Sequence, residues 1–149
     1  MKKSVVLILL VIAVFSCTRN PKVKNSAEHD TKSFELPVIP SVYISDQERG
    51  EYLAAHYWDR FDFGDTAYLS MPDLTEQAFA NYVGLLEQIP LEKGVAAVHR
   101  MLRQASADSA MFAHFSELYE KYLYDPNSPL RNDELYIPYL EYVVSSDKI

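Results

Sequence analysis

"DLTEQAFANYVGLLEQIPLEKGVAAVHRMLRQA", residues 73–105, is the stretch on which the fold turns. Phe79, Tyr82, Val83, Leu86 and Ile89 recur at helical steps behind Asp73, a capping residue followed three positions later by Glu76. Pro90 breaks that pattern and opens a second one, Leu91, Val95, Val98, Leu102 and Ala105, again at three-four spacing. Two amphipathic helices joined this closely predict an antiparallel hairpin.

Working toward the C-terminus, Ser106 to Asp108 supply a cap, and Met111, Phe112, Phe115, Leu118, Tyr119, Tyr122 and Leu123 mark a further helix that "YDPNSP" stops. Asn132 begins a last one, with Leu135, Tyr136, Tyr139, Leu140 and Val143 on one side. Pro138 inside that pattern predicts a kink or a late start. Toward the N-terminus, Ser45-Asp46-Gln47-Glu48 has capping-box spacing. Leu53, Ala54, Tyr57, Trp58 and Phe61 then predict a helix over 46–61, closed by the turn Phe63-Gly64-Asp65-Thr66 and followed by a loop to Pro72. No stretch alternates with period two. The expected fold class is all-α, a single bundle of about five helices over residues 38–149.

The first residues belong to something else. Met1-Lys2-Lys3 is a basic leader and Val5 to Phe15 an unbroken apolar run. That run is too short for a transmembrane helix, which needs about 20 residues, so residues 1–16 read as a secretory signal peptide. The chain's single cysteine, Cys17, follows directly. The stretch "VFSC" resembles a bacterial lipobox, with Val14 and Ser16 at the expected positions and Phe15 a variant. That resemblance implies lipidation of Cys17 and membrane attachment through several acyl chains. Residues 17–37, polar and without apolar periodicity over "TRNPKVKNSAEHDTKS", read as the lipidated N-terminus and a flexible linker.

From Phe34 onward eight basic residues face nineteen acidic ones, a net charge of −11. Such a surface repels phosphate backbones, which excludes nucleic acid as a partner and argues against the domain itself lying on anionic lipid.

Several residues invite a chemical reading. On the first helix Tyr52, His56 and Asp59 share the flank opposite the apolar stripe, and a histidine one turn from a carboxylate suits metal binding or acid–base work. No second histidine stands at ligand spacing, and Asp62 and Asp65 sit where turn and capping roles are common, so the pair reads as an exposed ion pair. Asp59, Asp62 and Asp65 also lack the donor pattern of a calcium loop. Six tyrosines, Tyr119, Tyr122, Tyr124, Tyr136, Tyr139 and Tyr142, crowd the last two helices. Most read as core-boundary residues, with Tyr124 and Tyr142 left as candidates for a binding surface. His99, Arg100 and Arg103 form the one basic spot, expected to neutralise neighbouring acids. Gly-x-Ser-x-Gly, a spare cysteine and a glycine-rich phosphate loop are all missing, so no catalytic residue, metal or cofactor is expected.

With "EYLAAHYWDRFDFGDT", "TEQAFANYVGLL" and "MFAHFSELYEKYLYDPNSPLRNDELYIPYLE" in view, the chain resembles a helical domain of unknown function found near the N-terminus of many Bacteroidota envelope lipoproteins. The resemblance spans about residues 38–147, and its most specific block is "YLYDPNSPLRNDELYIP". In similar proteins that domain is commonly followed by a thioredoxin-like domain with a Cys-x-x-Cys pair. This sequence reaches Asp147-Lys148-Ile149 without one, so it stands alone, is truncated, or belongs to a longer protein. Surface-displayed lipoproteins of that group carry acids just after the lipidated cysteine. Here the first acid is Glu28, which implies a periplasm-facing anchor in the cell envelope.

The expected function is that of a non-catalytic, membrane-anchored accessory module that binds or positions a partner such as a thioredoxin-like redox protein. The alternative is a small-ligand or glycan receptor using the tyrosine-rich C-terminal helices. A metal-dependent enzyme centred on His56 and Asp59 is the third reading.

Overall fold

The structure, a computed structural model, describes residues 32–146. The expected signal peptide, Cys17 and most of the linker lie outside the described residues. Five α-helices build the domain, and no strand occurs among the described residues. They are α1 (Asp46–His56), α2 (Pro72–Leu86), α3 (Leu91–Ala105), α4 (Ser109–Tyr119) and α5 (Asp133–Ser145). The all-α bundle read from the sequence is the fold.

Capping explains most boundaries. Glu48 N–H donates to Ser45 Oγ at 3.2 Å and Ser45 N–H to Glu48 Oε2 at 3.1 Å, a complete capping box that starts α1. Asp108 accepts from Met111 N–H at 2.9 Å to start α4, and Asn132 from Leu135 N–H at 3.2 Å to start α5. For α2 the expected cap is Asp73, but both cap and helix start lie two residues earlier. Pro72 brings the helical φ already fixed, Met71 takes the cap position without a side-chain bond, and Asp73 falls in the first turn beside the positive end of the helix dipole. Pro138 neither delays nor interrupts α5, which runs from Asp133 through it; the carbonyl that loses its helical partner belongs to exposed Glu134.

The largest departure concerns α1, which ends at His56 rather than at residue 61. Beyond it the chain tightens: Asp59 N–H donates to the His56 carbonyl and Phe61 N–H to that of Trp58. A regular helix would set Trp58 and Phe63 about 140° apart. The tightened turns instead bury Tyr57, Trp58, Phe61 and Phe63 together, and Phe115 of α4 meets Trp58, Phe61 and Phe63 at ring distances of 5.2 to 5.9 Å. The expected loop before α2 contains a 3-10 turn, Thr66–Ser70, capped by Asp65. A π-helical turn, Glu120–Tyr124, follows α4, its Asp125 N–H reaching back to the Glu120 carbonyl.

α3 packs against each of the other four helices. Its inward face carries Gly94, Ala97 and Ala105, which let neighbours approach, and Val98, Met101 and Leu102, which fill the space between them.

The compact unit begins at Lys32, so residues 32–37, read as the end of the linker, belong with it. Phe34 inserts beside Tyr57 and Trp58 at 5.0 and 5.2 Å, Lys32 pairs with Asp65 and lies over the Tyr68 ring, and Glu35 pairs with Arg60 at 2.8 Å. Burying an aromatic ring in an aromatic cluster outweighs the linker-like polarity of its neighbours. From there to α1 an extended strap leaves Val38, Val42 and Ile44 largely exposed.

Two core tyrosines differ in one respect. Tyr57 Oη donates to the Ala78 carbonyl at 3.0 Å, and burial pushes its pKa up to about 12. Tyr82 Oη is buried with no hydrogen-bond partner. A buried hydroxyl without a partner costs about 1–3 kcal/mol of desolvation. Tyr82→Phe is therefore expected to raise the urea midpoint, by about 1 kcal/mol in stability, whereas Tyr57→Phe lowers it by a similar amount.

Candidate functional site

Tyr52, His56 and Asp59 do come together, although Asp59 lies beyond the end of α1 rather than on it. His56 Nδ1 is 2.7 Å from Asp59 Oδ2, and Tyr52 stacks on the imidazole at 4.3 Å with 27° between the rings. The chain turn after His56 carries Asp59 back toward α3, where Arg100 donates to Oδ1 at 2.8 Å and Gln104 lies 3.5 Å away. Partial burial raises the Asp59 carboxyl, but the hydrogen bonds and charges of Arg100 and His56 outweigh it and hold the group below its ordinary value. Asp59 thus fastens the α1 turn to α3, and Arg100 acts as the acid-neutralising base that the sequence suggested.

The neighbouring aspartates go elsewhere. Asp62 accepts from Gly64 N–H, and Asp65 caps the 3-10 turn while pairing with Lys32. Among the described residues no group of three or more His, Cys, Asp or Glu side chains converges in a way that would hold a metal.

Tyr124 and Tyr142 are separated. Tyr142 is half-buried, with its hydroxyl 3.1 Å from Ser106 Oγ at the end of α3. Tyr124 is 57% exposed on the π-turn and stacks on Tyr136 at 5.0 Å. The π-turn takes Tyr124 out of α4's register and onto α5.

A second polar cluster, between α2 and the segment formed by α4 and its π-helical turn, was not anticipated. Glu76, expected to assist a cap, instead receives Lys121 and the Tyr122 hydroxyl, the latter at 3.1 Å. Next to it the fully buried Thr75 places Oγ1 3.1 Å from the Pro72 carbonyl and 2.8 Å from His114 Nε2. These partners lie some 40 residues apart in sequence, so no local spacing advertises them.

An apolar groove of about 520 Å³ runs between α4 and α5, floored by Phe112, Ala113, Tyr139, Leu140 and Val143. Glu117 and Glu120 edge it and also line an adjoining hollow beside Tyr124 and Pro126.

The chain belongs to the DUF5106 family, a domain of unknown function whose family model matches residues 16–149. Among solved structures it is similar to a thioredoxin-like protein from Bacteroides caccae ATCC 43185, determined by crystallography at 1.90 Å. The two share 43% identity and a TM-score of 0.74 over 77% of this chain and 42% of that one. This chain thus spans less than half the length of that relative. No curated protein matches it.

His114 supplies a test of the unanticipated cluster. Burial lowers its pKa from 6.5, against the opposing pull of Glu117 and Glu76. The fold favours neutral His114, so as pH falls below about 6.5 the unfolded chain takes up the proton first and stability declines through the folded pKa. Urea midpoints at pH 7.5 and 5.5 should differ in the wild type, and His114→Gln should flatten that difference.

Proposed function

We propose that this chain is a non-catalytic helical accessory module, lipid-anchored through Cys17 in the cell envelope with the domain facing the periplasm, that binds or positions a thioredoxin-like redox partner. The observation that carries the reading is the match to one part of a larger thioredoxin-like protein: 43% identity confined to 42% of that chain. At that identity the bundle is close kin of a region that shares a polypeptide with more than its own length of additional sequence.

The chemistry of the chain agrees. Dithiol exchange needs two thiols, and this sequence has Cys17 alone. Its polar clusters are internal fasteners with their donors and acceptors matched, not groups converging on a place where a reacting atom would sit. In this reading the redox step belongs to the partner, and no metal or cofactor is bound here. The basic leader, apolar run and "VFSC" support export and lipidation.

Two measurements test it. The purified chain is expected to form a complex with the Bacteroides caccae protein trimmed of its matched region, and to change its rate of insulin disulfide reduction; neither effect, in both assays, would remove the proposal. Separately, Cys17→Ser should move the expressed protein from the membrane fraction to the soluble fraction, and retention in the membrane would remove the lipid anchor from it.

A further inference from the structure

Large aliphatic side chains on α5 point away from the bundle. Ile137 is 51% exposed, Leu140 41% and Val144 67%, and on a helix of 100° per residue these three positions fall within 60° of one another. Leu140 also belongs to the α4–α5 groove, so stripe and groove form one continuous apolar face. The π-turn closes its end and holds Tyr124 there against Tyr136, and such wide turns are rare and concentrate where a surface is used. Glu117 and Glu120 give the face an acidic rim around an apolar centre, the arrangement of a protein-docking surface.

A glycan fits this surface poorly. Tyr139 is only 4% exposed, which leaves little ring surface for a sugar to stack on, and Phe112, Ala113, Leu140 and Val143 give the floor no group to bond hydroxyls. The strap carries exposed aliphatics too, but Pro37 and Pro40 interrupt it, and neither Val38 nor Val42 lines the α4–α5 groove. Aliphatic side chains exposed along one helix face beside a groove are what an interdomain contact of moderate size requires.

We infer that the α4–α5 face, centred on Ile137, Leu140 and the groove, is where a thioredoxin-like domain docks, presenting an apolar patch flanked by basic residues. This rests on the partner reading above. Its support beyond exposure is that the relative holds more than half its chain outside the matched bundle. The acidic rim further selects a partner with complementary charge.

The test uses the full chain carrying Ile137→Asp and Leu140→Asp together, with Val38→Asp and Ile44→Asp on the strap as the comparison. Both pairs sit at exposed positions, and urea midpoints confirm that each variant is folded. Affinity is measured by calorimetry against the trimmed Bacteroides caccae protein, taken only after its own cooperative urea transition shows that it is folded. The expected result is a loss of about tenfold or more for the α5 pair and none for the strap pair. Wild-type binding that survives the α5 substitutions, or that falls only with the strap pair, overturns the inference and leaves the partner reading standing. No wild-type binding, or self-association in its place, overturns both.

Discussion

Because α3 touches each of the other four helices, one fifteen-residue segment has to satisfy four packing surfaces at once. It does so by division of labour along its circumference. Gly94, Ala97 and Ala105 keep the helix narrow where neighbours press closest, while Val98, Met101 and Leu102 supply buried volume. Arg100 and Gln104 emerge at the margin and reach the Asp59 carboxylate, which pins the irregular turn after α1. That turn in turn delivers Trp58, Phe61 and Phe63 to Phe115, so the aromatic half of the core depends on a polar contact made from its aliphatic half.

The parts of the architecture legible in the sequence are those governed by local rules. The capping box at Ser45 and Glu48, the caps at Asp108 and Asn132 and the break at Pro90 are short-range chemistry, and each sits where its residues predict. Tyr52, His56 and Asp59 were legible for the same reason, three and four residues apart. The end of α1 was not, since Tyr57, Trp58 and Phe61 keep helical spacing whether the backbone is helical or coiled into tight turns. Periodicity registers which side chains go inward and is silent about the hydrogen bonds that bring them there. Phe34 and Glu76 escaped notice because their partners are remote: a lone ring in a polar stretch and a glutamate after Asp73 look like linker and cap until the tertiary contacts exist.

Function follows a similar boundary. His56 and Asp59, the pair that invited a chemical reading, are engaged in holding the turn after α1 to α3, and a cluster that invited none holds α2 to α4. What remains unconsumed is surface: an apolar face on the last two helices with acids at its edge. The kinship with part of a thioredoxin-like protein is what makes that face the place to look for a contact.

The strap also determines how the domain meets mechanical load. Tension travelling along the chain from its N-terminal side reaches Lys32 and Phe34 before it reaches α1, and there it must shear a ring out of the Tyr57–Trp58 cluster while parting the Lys32–Asp65 and Glu35–Arg60 pairs. Behind that latch, the segment up to Ile44 is secured again where the Tyr43 ring packs at a tilt against Tyr52, leaving a short length of slack between two fastenings. Pulling therefore spends itself first on the latch and then on the slack, so the hydrogen bonds at the start of α1 are the last of the three to feel the force.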